Sequence, residues 1–383
     1  MLIRFFHSLS RALALGLFAL LPPCANAQTQ TPVVVTTNFN LRVMAANTTS
    51  SNASRYEAEG MRIFRGLKPD IVAMQEFKYL STNGLGENTT NAFREMINSA
   101  FGTNFVYFRE TNAGYSIPNG IISRWRIKES GSWDDIQVSD RGFAWARIDL
   151  PGTNDLYFVS VHLHGNGGPS SRSIEAANLR DLIQSNFPAN AWIVVAGDFN
   201  TDTRSEACMT TFKSYLSDAA IPDDGNLNGT PDPDTNENRG KPYDYALPSF
   251  TLATNQVATV IGSRSFPNGL VFDSKIYTPL TEVSPVQFSD SHVFNMQHMA
   301  VVKDFRISYT ATNFVTVPPP VLRLVSTNVF RWAGLSNLSY RVLSSGSLSN
   351  FTQAGTSTST STNYFFTNSA PLTNQRFFRV VWP

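Results

Sequence analysis

The stretch Val194–Asp202, VVAGDFNTD, restricts the chain to folds that bury a strand and leave its end polar. Trp192–Ala196 is apolar enough for a buried strand, and Gly197 stops the run. Side chains alternate along a strand, so Asp198 and Asn200 are expected on one face with Phe199 turned back to the core. A carboxylate and an amide then stand together at the mouth of a sheet. Asp and Asn also favour turns, so a strand that merely ends in a polar turn is the competing reading.

The N-terminus follows a different rule. Arg4 and Arg11 precede the apolar run Ala12–Leu21, and Ala25-Asn26-Ala27 forms a small-residue exit. This is the layout of a secretory signal peptide cleaved after Ala27, with an apolar run too short to span a membrane. Pro22 and Pro23 weaken a lipoprotein reading centred on Cys24. The chain is therefore expected to be secreted, to the extracellular space or the periplasm. Removing residues 1–27 takes away two arginines and moves the formal charge from +1 to −1. Taken whole, that balance excludes a strongly basic polyanion binder. Cys24 leaves with the signal and Cys208 stays alone, so stability must come from a core or a metal rather than a disulfide.

From Asn38 to Phe305, apolar runs alternate with amphipathic segments, the pattern of mixed strands and helices. Arg55–Leu67 is predicted helical, with Met61, Phe64 and Leu67 on one face, until Pro69 and Asp70 break it. IVAMQ, NFVYF, NGIIS, FAWARIDL and LYFVSVHLH are predicted strands, and Ser173–Ile183 a helix. Pro318, Pro319 and Pro320 mark a stiff linker. Beyond it, short apolar runs from VLRLV to FFRVVWP, separated by Ser, Thr, Asn and Gly, predict a small all-β domain, most simply a sandwich. Gly355–Asn363 is low in complexity and is expected to be a flexible loop. The expected divisions are a signal peptide over 1–27, a main domain over 28–310, a linker over 311–320 and a β domain over 321–383.

Other predicted strands also end in polar residues. Asn47 follows NLRVMAA, Gln75 and Glu76 follow IVAM, and FVSV runs into His162 and His164. A carboxylate at a buried strand end costs several kcal/mol unless it is paired or binds a metal. Several such ends together suggest one convergent site. A salt bridge to Lys78 is the competing account of Glu76, and a loop or core histidine that of His164.

The ordered set Asn47, QE at 75–76, NGIISR at 119–124, VHL at 161–163, GDFN at 197–200, YDYAL at 243–247 and QHMAVVKDF at 297–305 resembles the endonuclease/exonuclease/phosphatase family. The resemblance spans about residues 38 to 305. It implies an α/β fold, a four-layer sandwich of two packed mixed β-sheets flanked by helices, here followed by the small β domain. It also implies a divalent-metal-dependent phosphodiester hydrolase, with Mg2+ as cofactor and Mn2+ or Ca2+ as alternatives. Glu76 matches the family's metal-binding Glu, with Asn47 beside it. Asp198 and Asn200 match the pair that orients the attacking water and contacts a phosphate oxygen. His298 resembles the general base, Asp244 the carboxylate that orients it, and His162 the second histidine of the deoxyribonuclease and sphingomyelinase branches. A hard cation suits carboxylate oxygen, and a carboxylate-held histidine can take a proton from water near neutral pH.

The family's last motif usually carries Asp before the histidine, whereas Gln297 precedes His298 here. Asp290 or Asp273 is an alternative acid, and His292 in SDSH a rival base. Asp224, Asn226 and Asn228 before Gly229 imitate the start of a calcium loop, but Thr235 occupies the place of its last acid. DNA or RNA is the expected substrate, with Arg124, Arg126, Lys128 and Arg172 as candidate phosphate contacts. A sphingomyelinase-like lipid phosphodiesterase is the alternative, with Ser265–Phe272 as its candidate membrane hairpin. A catalytically lapsed surface-binding module comes third. A monomer without a stable protein partner is expected.

Overall fold

The structure is a computed structural model that describes residues 3–4, 30–79, 89–112, 114–316, 320–326, 328–347, 349–369 and 376–381. The predicted signal peptide therefore lies outside the described residues, apart from Ile3 and Arg4, and so do Pro318 and Pro319. Two compact units are present: one is Thr36–Thr310, the other takes in Met1–Val35 and Ala311–Pro383.

The larger unit is a four-layer α/β sandwich. One sheet runs in the order Gln256–Val257, Ala300–Thr316, Gln30–Ala46, Ile71–Met74, Gly120–Ser123, Val106–Arg109, with Leu270–Phe272 also pairing Ala300–Thr316. The other runs Asp244–Pro248, Trp192–Asp198, Leu156–His162, Gly142–Ile148, Ile127–Asp134. Strict alternation divides each strand between two cores. Val43, Ala45, Ile71 and Ala73 meet Phe158, Val194, Ala196 and Ala246 between the sheets. Met44, Val72 and Met74 face outward onto the helices Ala58–Leu67 and Thr90–Ala100. Val159, Val161 and Val195 do the same for Gly168–Asn186 and Ala207–Lys213.

Each sheet has one central parallel pair, Gln30–Ala46 with Ile71–Met74 and Leu156–His162 with Trp192–Asp198. Parallel strands end at the same edge, so four C-terminal strand ends meet at one end of the sandwich. Antiparallel neighbours bring their starts there instead, as Asp244 does opposite Asp198.

Four local expectations are corrected. The helix predicted from Ser173 begins at Gly168, because Pro169 suits a first helical turn. Ile127–Asp134 is a strand that went unpredicted; it is an edge strand with a largely solvated face and no apolar period. Ala300–Thr316 runs as strand through residues read as the start of the linker. Gly355–Asn363 is not a loop throughout: Thr352–Thr358 pairs with Ser339–Ser345, and a new strand starts at Asn363.

The smaller unit is all-β. Arg323–Ser326, Val329–Ala333 and Asn363–Thr367 form one antiparallel sheet, and Ile3–Arg4, Phe377–Val381, Ser339–Ser345 and Thr352–Thr358 another. Phe330, Trp332, Tyr340, Tyr364 and Phe378 pack in its core.

Candidate active site

The inner-face alternation continues past the strands into chemistry. Asn47 follows Val43 and Ala45, Gln75 follows Ile71 and Ala73, His162 follows Phe158 and Ser160, and Asp198 follows Val194 and Ala196. All four are buried, at 1%, 0%, 7% and 1% exposure, where the apolar filling between the sheets gives out. Three links stitch the sheets together there: Gln75 Nε2 donates to Ser160 Oγ at 2.9 Å, Ser160 Oγ to Met74 O at 2.9 Å, and Asn47 Nδ2 to Asp198 Oδ2 at 3.3 Å.

Alternation alone would turn Glu76 outward with Val72 and Met74. Its φ of 48° breaks the strand, and its Oε1 lies 3.3 Å from Asn47 Nδ2. Asn200 shows the same device. The strand ends at Asp198, Phe199 is buried among the helix-facing residues, and Asn200 takes a φ of 52°. Its backbone N–H donates to Asp198 Oδ1 at 2.9 Å, and its Nδ2 to Leu163 O at 2.9 Å. Thus a polar turn, not continued alternation, places Asn200. Gly197 adopts φ 137°, and a Cβ there would stand 2.2 Å from Val161 O and 2.6 Å from Gln75 Nε2, so no side chain fits.

Asp198 Oδ2 is the centre of the arrangement. His162 Nε2 and His298 Nε2 each lie 3.4 Å from it, and His298 Nδ1–H donates to Asp244 Oδ2 at 2.9 Å. These contacts join Glu76, Asn47, Asp198, Asn200, His162, His298 and Asp244 in one network. Burial alone would lower the His298 imidazole, but the Asp244 and Asp198 carboxylates outweigh it and hold it at about 10. Burial lifts the Asp198 carboxyl to about 7, with His298 pulling it down and Asp244 pushing it up. Burial, with Arg141 and His298 adding to it, keeps His162 well below its ordinary value and so neutral.

The donor set fits a hard divalent cation. Glu76 Oε1 and Asp198 Oδ2 share the side-chain amide of Asn47, and Asp244 Oδ1 is buried with no hydrogen-bond partner among the described residues. A buried, unpartnered carboxylate oxygen in a site with two further carboxylates suits Mg2+ or Ca2+. Asp198, Asp244 and His298 also offer ligand atoms all within 4.8 Å. However, His298 Nδ1 is already committed to Asp244, so that trio is better described as a histidine held between two carboxylates.

Other sequence candidates are used elsewhere. Arg62 holds Asp290 at 2.7 Å, while Arg239 and His292 hold Asp273 at 3.1 and 2.8 Å. Gln297 is exposed, and its carbonyl accepts from Glu237 N. Asp224 is spent on Arg239 and on the backbone of Asn226 and Asp232, so its loop has no calcium-loop geometry. Arg124 and Lys128 lie at the far end of the sandwich, because Gly120–Ser123 runs antiparallel to Ile71–Met74 and carries the chain beyond Ser123 away from Glu76. There Arg124 pairs with Asp70 at 3.0 Å, and Lys128 with Asp149 and Asp155, each at 2.7 Å. Exposed Arg126 is carried away by the same strand. Arg172 is buried on Glu206 at 2.8 Å and also reaches the carbonyls of His164 and Gly165. His164 hydrogen-bonds Ser171 rather than the site.

Two further cations stand near the site, Arg141, which the sequence reading missed, and Lys78, which it named only as a salt-bridge partner for Glu76. Arg141 Nε donates to His162 O at 2.6 Å and its Nη2 to Leu163 O at 3.1 Å, fixing the loop that carries His162. Lys78 is 5% exposed, and no ion pair joins it to Glu76 among the described residues. Burial lowers its amine, which Glu76 partly offsets.

The sequence matches the profile of the Endonuclease/Exonuclease/phosphatase family over residues 48–290. No curated protein matches it. Among solved structures it is similar to an endonuclease/exonuclease/phosphatase from Beutenbergia cavernae DSM 12333, at 14% identity over 90% of this chain and 96% of that one, with TM-score 0.44. Beta toxin from Staphylococcus aureus is 14% identical over 69% and 99%, TM-score 0.43. The human Nocturnin catalytic domain is 17% identical over 74% and 98%, TM-score 0.42. At TM-scores below 0.5, none of these likenesses bears on substrate.

Proposed function

From a chain that belongs to the endonuclease/exonuclease/phosphatase family, we propose an exported, divalent-metal-dependent phosphodiesterase whose substrate is DNA or RNA. The observation that carries the reading is His298, held by Asp244 on one ring nitrogen and facing Asp198 with the other. Nδ1–H on Asp244 fixes the tautomer, so Nε2 is the atom that takes a proton from water. In the field of both carboxylates Nε2 keeps its own proton at neutral pH, and only when that field is offset is it free to accept. Glu76 and Asn47 would hold the cation, Mg2+ by donor chemistry. When bound, it supplies positive charge to the phosphate oxygens. The second amide hydrogen of Asn200 and an N–H of neutral His162 would be the donors to charge growing on the phosphate.

Phe288 and Phe294 are 61% and 69% exposed on the segment leading to His298, and Ser51 N donates to Phe294 O at 2.9 Å, lacing that segment to the loop after Asn47. Exposed aromatic rings on the segment that leads into His298 suit an unstacked base. The same rings are the one observation favouring the lipid alternative. The hairpin expected to serve it does not, because Phe266, Leu270 and Phe272 are in the core. Export rests on the layout of residues 1–27 alone. Plasmid DNA, a single-stranded RNA and sphingomyelin liposomes, each assayed with Mg2+ and with EDTA, test the proposal. EDTA-sensitive cleavage of a nucleic acid is expected. Hydrolysis of sphingomyelin alone would overturn the substrate, and inertness toward all three would point to a lapsed site.

A further inference from the structure

All 29 acidic residues precede Ala311. Residues 311–383 contain Arg323, Arg331, Arg341, Arg376 and Arg379 and no Lys, Asp or Glu. The near-neutral total thus hides a cationic unit joined to an acidic one, and a charge split of this kind marks a polyanion-binding module.

The sheet register concentrates part of that charge. Arg323 stands opposite Arg331, and Arg331 opposite Phe365, across the three strands of one sheet. Directly opposed residues project from the same face. All three are exposed, Phe365 at 55%, while the alternating Phe330, Trp332 and Tyr364 turn inward to the core. Arg331 Nη2 donates to the neutral Asn363 Oδ1 at 2.8 Å, so its guanidinium is steadied without being neutralised. Two guanidinium groups and a phenyl ring in one row combine phosphate recognition with a base-stacking platform. Exclusive use of Arg strengthens this, because its planar fork binds phosphate bidentately and also stacks.

We propose that the face carrying Arg323, Arg331 and Phe365 binds single-stranded nucleic acid, and that the unit tethers the substrate cut by the larger unit. Tethering raises the local substrate concentration without adding a contact at the cutting site. The purpose of the face rests on the phosphodiesterase reading; its test does not.

The test uses the full chain carrying His298→Ala, in EDTA, with fluorescein-labelled oligothymidylate and anisotropy read across a NaCl series. Adding Arg323→Gln, Arg331→Gln and Phe365→Ala together is expected to weaken binding by about tenfold and to reduce the salt slope by about 1.4, for two single-strand phosphate contacts. Phe365→Ala alone is expected to weaken binding with the slope unchanged, and Arg323→Lys with Arg331→Lys to keep the slope. With His298 restored, the triple variant is expected to hydrolyse bis(p-nitrophenyl) phosphate like the parent, and parental thermal melting reports an intact fold. Unchanged affinity and slope in the triple variant would overturn the proposal. So would a loss confined to phosphatidylcholine vesicles containing phosphatidylserine, which would make the face a membrane contact. Oligonucleotide binding without hydrolysis of any nucleic acid would sink the activity reading and leave this face standing.

Discussion

At the scale of single residues, Asp198 organises the site because it is buried and contacted by three donor-bearing side chains, Asn47, His162 and His298. If His298 is the base, His298→Ala lowers phosphodiesterase turnover by about 10²- to 10⁴-fold, the usual worth of a positioned general base. His292→Ala leaves turnover nearly intact, since His292 spends its Nε2 on Asp273. Steady-state kinetics on the two variants separates them; a large loss at His292 would move the base there. His298 also fixes a pH dependence. Its folded value of about 10 lies above the unfolded value of about 6.5. The stabilisation is therefore complete below pH 6.5 and is lost as pH climbs through about 10. Metal-free protein is expected to lose melting temperature over that window, and His298→Gln to flatten the loss. A profile identical in both proteins would show that the imidazolium is not held as described.

At the scale of elements, the site depends on where strands stop. Tyr56 Oη lies between Ala46 O at 2.7 Å and Gln75 O at 2.9 Å and shares its one hydrogen with them, pinning the strand ends that present Asn47 and Glu76. Gly197 allows Trp192–Asp198 to pass beside Val161 O. Gly197→Ala meets both a close backbone oxygen and an unfavourable φ, so a loss of about 1–3 kcal/mol is expected in denaturant unfolding. A neutral result would mean that the strand shifts freely. Much at this scale was readable in advance. IVAM, GIIS and WIVVA announce buried strands by composition, and Asn47, Glu76, His162 and Asp198 stand just beyond or at the ends of such runs. Ile127–Asp134 and Thr352–Thr358 were not readable, since neither has a fully buried face and both are strands because a neighbour pairs with them.

At the scale of the whole molecule, the two sheets come together at an end that gathers Glu76, Asp198 and Asp244, and a cation bound there would stabilise the fold as well as serve catalysis. Ligand binding to the native state raises stability by RT ln(1 + [L]/Kd), about 2.7 kcal/mol at a hundredfold excess over Kd. Mg2+ should therefore raise the melting temperature of the parent and much less that of Glu76→Gln; equal shifts would place the cation elsewhere. The sequence by itself determined the α/β character, the strand runs and the polar residue types at the strand ends, because burial and alternation act over a few neighbouring residues. The tertiary structure decided which cations reach the site. Arg124 and Lys128 were carried to the far end by an antiparallel strand, while Arg141 and Lys78 were brought near. It also decided that Asp290 and Asp273 are neutralised by Arg62 and Arg239, and that Arg323, Arg331 and Phe365 share a face. Strand direction and register join residues far apart in the chain, and no local pattern encodes them.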